Sequence, residues 1–535
     1  MDNPTVAYFS MEYGLDVSFK TYAGGLGILA GDYLKGARDF NYPVIGIGIL
    51  WKQGYTDQMI GKDGVPYDSY HNYKYDFLED TEIVVSVFIR GQEVFCKVWK
   101  ITAFGNADLY LLDTDLPENE DAWITGQLYG WFGEERIAQE MVLGIAGVRA
   151  LRALNLPVDI YHFNEGHAVF AAVELLREKM EDRAHSFEEA LDAVRKEVVF
   201  TTHTPIPQGN EIHLMDRILY MGAHQHLSKQ QMAFIGGNPF NMTIAALRLA
   251  KRSNGVARLH GETSNLMWKG VPRISEITAI TNAIHLPTWV DDQILANAGD
   301  PQALWERHQE NKEELIRFIR ERNGVILDKD VLLVGFSRRA APYKRSDFIF
   351  SDSEVIDPLL KENQIQIVFS GKAHPLDDKG KAIVKSLVDM GKKYPANVVF
   401  LENYDMTIGR MLTRGSDIWL NNPRRPKEAS GTSGMKAAMN GVLNLSILDG
   451  WWPEACRHGE NGWQFGDGFV SEDEKVHDAH DLKALYRVLR DEVIPTYYQK
   501  REKWMSMMAL SISSTRETFN VKRMLEEYYT ELYRF

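Results

Sequence analysis

The feature that most constrains this chain is a rhythm of short apolar runs, each ending in a polar or glycine-containing cluster, separated by stretches of helical periodicity. In the first half the runs are VAYFSME, PVIGIGIL, DIYHFNEG and VVFTTHTP. Between them lie RIAQEMVLGIAGVRALRAL and HAVFAAVELLREKM, whose apolar residues recur at helical spacing. Strands alternating with helices predict parallel sheets in an α/β fold. One segment breaks the rhythm: EIVVSVFIRGQEVFCKVWKI, with Arg90-Gly91-Gln92 at its centre, predicts an antiparallel hairpin. The second half resumes it with VLLVGFS, IQIVFSG, NVVFLEN, SDIWLN and GVLNLSIL. These lead into RRAAPYKR, KAHPLDD, NYDMTIGR, NPRRPKEASGTSGMK and DGWWPEA. Ligands of doubly wound sheets bind beyond the carboxyl ends of the strands, so five loaded strand ends predict one site.

The chain has 535 residues, too many for one core. A boundary near Ser275 to Thr281 predicts a first domain over 1–278 and a second over 279–515. Residues 516–535 carry Met524, Leu525, Tyr528, Tyr529 and Leu532 at helical spacing, which predicts a last helix packed on a domain face. There are 60 Lys plus Arg against 74 Asp plus Glu, a net charge of −14. That argues against a nucleic-acid binder but leaves room for a small anion held by a few local cations. Cys96 and Cys456 are the two cysteines, too few for a disulfide framework. With no secretory signal at the start and no run long enough to span a membrane, the expected compartment is the cytoplasm.

Glu428-Ala-Ser-Gly-Thr-Ser-Gly-Met-Lys436 reads as a loop opening a helix, whose free amides suit a phosphate or sugar hydroxyls. Lys436 is expected in the first turn among Met435, Ala437, Ala438 and Met439. An apolar setting there favours a neutral amine able to form a Schiff base; a lysine with a packed stem and a wet ammonium would look the same. Arg338, Arg339, Lys344 and Arg345 place four cations in eight residues, an oxyanion site if they converge and a solvated basic loop if they do not. Gly24-Gly25-Leu26-Gly27 lets backbone approach an anion but lacks the spacing of a dinucleotide fingerprint. His162, Asn164, Glu165 and His167 cluster after one strand and His203 ends another. Their spacing is not that of a helical zinc motif, so they are read as hydrogen-bonded pocket residues and no metal is expected.

Together YFSMEYG, GGLG, FNEGH, THT, NGVARLH, TNAIHLPTW, RRAAPYKR, GKAHP, FLENY and EASGTSGMK resemble, in order and over nearly the whole chain, the glycogen and maltodextrin phosphorylases. These are glycosyltransferases of the GT-B fold that carry pyridoxal phosphate. The resemblance implies two Rossmann-like doubly wound domains facing a central cleft, and retaining phosphorolysis of α-1,4-glucans to glucose 1-phosphate. It implies a glucan and inorganic phosphate as partners, and a homodimer by family precedent. Residue by residue, Lys436 matches the cofactor lysine, and Thr432, Ser433, Arg338 and Tyr404 match its neighbours. Gly24, Gly25, Arg339 and Lys344 match the cradle for substrate phosphate. Glu428, Ser430, Gly431, Tyr343, Asn282 and His203 match positions around the glucose, with His203, Arg339, Lys344 and Lys436 nearest the chemistry. Trp289 matches a residue supporting the domain junction. The departures are Ser433-Gly434 for Gly-Asn, Ile28 for a basic residue, Tyr13-Gly14 for an aromatic in another register, and a shortened region before Glu134. They suggest a short, divergent bacterial-type branch. The early start predicts no control by N-terminal phosphorylation. A nucleotide-sugar-dependent glucan synthase of the same architecture, and an inactive glucan-binding protein, are the competing readings.

Overall fold

The computed structural model describes residues 3–181 and 184–534. The chain divides into two units. Unit 1 comprises Met1–Tyr55, Tyr70–Thr281 and Val521–Phe535; unit 2 comprises Thr56–Ser69 and Asn282–Asn520. This differs from a linear partition in that a short polar segment, 56–69, belongs with the second unit.

Unit 1 is built on a nine-stranded sheet. In chain order its strands are Val6–Phe9, Val44–Ile49, Glu79–Ile89, Gln92–Ile101, Leu109–Asp113, Ile160–Asn164, Val198–Thr201, Arg252–Gly255 and Ile277–Ala279. In space they run ninth, eighth, seventh, sixth, first, second, fifth, fourth, third. All pairings are parallel except those of the fourth strand with the third and with the fifth, where the predicted hairpin adds an antiparallel edge. Arg90 and Gly91 both have positive φ, the two-residue turn whose twist matches that of the strands it joins. The order reverses between the first and sixth strands, which pair directly. The helical run after Glu134 forms Glu134–Met141 and Gly147–Ala153 around a π-turn at Val142–Ala146. A side chain on Gly144 would run into the backbone of Phe170 and Ala171, so close helix approach accounts for the glycine there.

Unit 2 carries six parallel strands: Leu332–Ser337, Ile365–Ser370, Val398–Leu401, Ile418–Asn421, Leu443–Ile447 and Gly462–Phe465. Their spatial order is third, second, first, fourth, fifth, sixth. That is the doubly wound arrangement of dinucleotide-binding folds, with its switch point between the first and fourth strands. The strand interiors are fully buried, as runs of Val, Ile, Leu and Phe require in a parallel sheet covered on both faces. The hairpin Asp57–Ile60 and Pro66–Ser69 docks through the Gln58 side-chain amide and the Ile60 backbone. Gln58 donates to the Ala373 carbonyl at 3.0 Å and accepts from the Ala373 amide at 2.8 Å, while the Ile60 amide donates to Glu402 at 2.8 Å. No helix among the described residues is long and apolar enough to cross a membrane.

Candidate active site

In unit 2 the loops that follow the first and fourth strands flank the switch point, and they carry most of the sequence-derived candidates. Arg338 leaves the first strand and reaches the other loop. Its Nη1 donates to the Ser433 hydroxyl at 3.1 Å and its Nη2 pairs with Glu428 Oε2. Lys344 Nζ reaches the same oxygen at 2.6 Å. All three side chains are nearly buried. Burial works to raise the Glu428 carboxyl, but Arg338 and Lys344 outweigh it and hold the group down at about 2. Lys344 also lies 4.8 Å from the Tyr343 ring centre. The Tyr343 phenol is opposed by burial yet lowered on balance by Lys344, Arg339 and Arg338. Arg339 itself is exposed at the strand end.

The loop 422–431 turns into the helix Thr432–Met439 at Gly431, whose φ of 85° lies in the left-handed region. Gly431 offers no capping side chain, so the helix opens on uncapped amides beside Thr432 and Ser433. Ser433 accepts from both Arg338 and the Trp419 indole, the latter at 3.2 Å. A Cβ on Gly434 would stand 2.7 Å from Asn444 Oδ1 and 2.8 Å from Trp451 Nε1. That contact explains why the small residue falls at 434 in this chain. Lys436 lies in the last turn of this eight-residue helix, not the first as the sequence suggested. The helix starts only at Thr432, so the dipole does not oppose a charge on Lys436. Its Nζ sits 3.5 Å above the Trp289 ring centre, and both side chains are buried. Asn440 fixes the pair by donating to the carbonyls of Trp289 at 3.2 Å and Lys436 at 2.8 Å. Tyr404 packs with Trp419 and Ala437, its phenol pushed up to about 12 by burial.

Two participants carried no individual signal in the sequence. Asp449, in the cluster DGWWPEA, accepts the Glu428 amide at 2.9 Å and the Gly450 amide at 2.8 Å. Burial, and then the Glu428 charge, push its carboxyl up to about 8. Trp451 donates its amide to the Ser430 carbonyl at 3.0 Å, so the loop 449–451 braces 428–430 from behind. The Ser430 hydroxyl is buried and has no hydrogen-bond partner. Arg345, the fourth cation of the run, joins neither an oxyanion site nor a solvated loop. It is 4% exposed and donates to the Asn422 and Pro423 carbonyls at 2.8 and 2.9 Å, and to Asp478 and Asp481 at 2.8 Å each. Its φ of 52° turns it away from Lys344 and under the helix Glu474–Val488.

In unit 1, Glu12 carries the glycine loop. It accepts the amides of Ala23 at 2.6 Å and Gly24 at 3.0 Å, and the Tyr129 hydroxyl at 3.0 Å. Gly24 caps the helix Gly25–Asp39. A Cβ on Gly24 or Gly25 would meet nothing within 4 Å, and neither residue has a positive φ. Nothing in the protein itself therefore requires glycine at these two positions. His203 bonds Asn164 Oδ1 at 2.6 Å through Nε2, and its amide donates to Glu165 at 2.8 Å. Burial, with His260 beside it, drives the His203 pKa down to about 3, so the ring is neutral. His162 is not a pocket residue. It is fully buried between Thr201 at 2.7 Å and Tyr533 at 2.6 Å. Asn282 is buried at the first residue of the second segment of unit 2. Neither cysteine is a poised nucleophile: burial raises both thiols to about 12.

The doubly wound sheet of unit 2, with buried cations and uncapped amides beyond its strand ends, defines a site suited to small anionic ligands. Residues 278–466 match the carbohydrate phosphorylase family. The chain is 37% identical to the maltodextrin phosphorylase of Thermococcus litoralis, over 99% of this chain and 70% of the relative. It is 36% identical to the glycogen phosphorylase of Aquifex aeolicus, over 99% and 86%. An uncharacterized protein of Methanocaldococcus jannaschii is 37% identical over 99% of both chains. The chain belongs to the carbohydrate phosphorylase family.

Proposed function

We propose that this protein is an α-glucan phosphorylase that releases the terminal glucose of an α-1,4-glucan as glucose 1-phosphate. The observation that carries the reading is the clamp of Glu428 between Arg338 and Lys344, with the buried, unpartnered Ser430 hydroxyl beside it. Two cations share one carboxylate, which leaves a surplus positive charge for an anion, and the exposed fork of Arg339 adds to it. Ser430 offers a sugar hydroxyl the hydrogen bond that the protein does not supply.

In phosphorolysis the bond from C1 of the glucose to the glycosidic oxygen breaks as C1 bonds a phosphate oxygen. The phosphate proton passes to the departing oxygen. Positive charge develops on the ring. Arg339 and Lys344 hold the phosphate dianion; in unit 1 the helix opening at Gly24 and Gly25 lets backbone approach an anion. Glu428, Ser430, Gly431, Tyr343 and Asn282 orient the glucose; in unit 1 a neutral His203 with Nε2–H fixed on Asn164 is available to a sugar hydroxyl through its remaining nitrogen.

Pyridoxal phosphate fits the surroundings of Lys436. The amine is buried over an indole face, and the uncapped amides, Ser433 and Arg338 stand one turn away. Thr432 and Tyr404 complete its setting. When bound, the cofactor supplies a phosphate group able to act as acid and base beside the substrate phosphate. Two unpaired thiols support a reducing, cytoplasmic setting, and family precedent supports a second copy of the chain as partner.

The test is product formation. Maltodextrin with inorganic phosphate should yield glucose 1-phosphate, and borohydride reduction followed by peptide mapping should find the cofactor on Lys436. Glucan extension from a nucleotide sugar, with no product from phosphate, would overturn the reading.

A further inference from the structure

Unit 1 holds a second cluster of ligating side chains, apart from the glycine loop and His203. Glu140 comes from the helix Glu134–Met141, Glu211 from the turn after Pro207–Gly209, and His213 from the short strand Ile212–His213. His213 Nε2 stands 3.2 Å from Glu140 Oε2 and 3.8 Å from Glu211 Oε1. One ligand atom from each of the three residues lies within 4.8 Å of the others. Ligands of a tetrahedral zinc ion stand about 3.3 Å apart, so small side-chain movements would close this triangle on an ion. Glu140 is fully buried, and its Oε1 finds no donor.

The charges are unbalanced in the same direction. Arg136 faces Glu211 at 3.7 Å, while Arg217 is directed to Glu134 at 3.9 Å. His167 Nε2 lies 3.9 Å from Glu211 Oε2. One arginine thus opposes two carboxyls. An imidazole nitrogen with two carboxylate oxygens is a donor set suited to zinc and its neighbours rather than to calcium or magnesium.

We propose that Glu140, Glu211 and His213 bind one divalent transition-metal ion of the zinc type, tying the turn at 211–213 to the helix Glu134–Met141. The site is structural and separate from glucan chemistry.

The experiment uses the full chain, stripped with a chelator, dialysed against zinc or cobalt(II), freed of excess, and assayed for metal by elemental analysis. Wild type should retain one ion per chain and melt at a higher temperature than the stripped protein. Cobalt should give visible bands of a low-coordinate site. His213→Gln and the isosteric Glu140→Gln, each checked by circular dichroism for an intact fold, should lose both the ion and the melting shift. Retention of the ion by either folded variant would overturn the site. So would a wild type that retains no metal, since the two carboxyls would then share a proton instead.

Discussion

Arg339 and Arg345 are six residues apart and chemically identical, yet their surroundings assign them opposite consequences. Arg345→Met removes a buried fork that holds two carbonyls and two aspartates, and leaves Asp481 buried without its cationic partner. Breaking a buried pair in this way costs about 3–5 kcal/mol. Urea denaturation should show a loss of this order, and an unchanged midpoint would refute the structural role. Arg339→Lys at the exposed strand end should leave stability intact and lower turnover by roughly 10²–10³, the usual effect of losing one preorganised donor. Near-wild-type kcat/KM for phosphate in that variant would remove Arg339 from the reaction. Asp449 makes a prediction in pH. Its folded carboxyl titrates at about 8, above the unfolded value of about 3.9. Its contribution is therefore fully present below the unfolded value and is lost as pH rises through 8. Asp449→Asn should remove that slope, so wild type should lose stability relative to the variant as pH rises toward 8. Glu428, held at about 2, works in the opposite sense: its contribution is present above the unfolded carboxylate value and fades only in acid.

At the scale of elements, one helix carries two kinds of glycine. Gly31 packs so closely on the preceding loop that a Cβ would run into the Gly14 carbonyl, whereas Gly24 opens on empty space. Gly31→Ala should lower the melting temperature markedly or abolish folding. Gly24→Ala should melt like wild type but raise the KM for phosphate. Equal stability in both variants would show that helix approach does not depend on position 31. If Gly24→Ala left phosphate kinetics unchanged, the loop would have no part in phosphate contact. The elements themselves were largely legible in the sequence. Buried parallel strands need unbroken apolar runs, and Arg90-Gly91 needs only local turn chemistry. Gly462–Phe465 was not picked out, because its GWQF is short and carries a polar residue. The hairpin Asp57–Ile60 and Pro66–Ser69 was invisible for another reason. Its sequence is polar, and the groups that hold it are Ala373 and Glu402, over three hundred residues away.

At the scale of the molecule, the C-terminal segment completes unit 1 through a buried polar network. Tyr533 meets Tyr33 at 2.5 Å and His162 at 2.6 Å, and Tyr528 accepts from Asn254 at 3.2 Å. Tyr533→Phe leaves two buried groups without a partner, which costs about 1–3 kcal/mol each. Denaturation should show that loss, and full wild-type stability would mean the network is not needed. The sequence by itself determined the α/β class, the strands whose apolar runs form the two sheets, and the clusters at their ends, because periodicity and turn chemistry act over a few residues. Only the tertiary structure decided which cations converge. Arg338 and Lys344 meet on Glu428 while Arg345 turns to Asp478 and Asp481. It alone brought Glu140 to Glu211 and His213, and Tyr533 to His162. The physical reason is the same in each case: a charge or hydroxyl takes its pKa and its partner from groups that share its space, and residues far apart in the chain acquire a common space only when the sheets have formed.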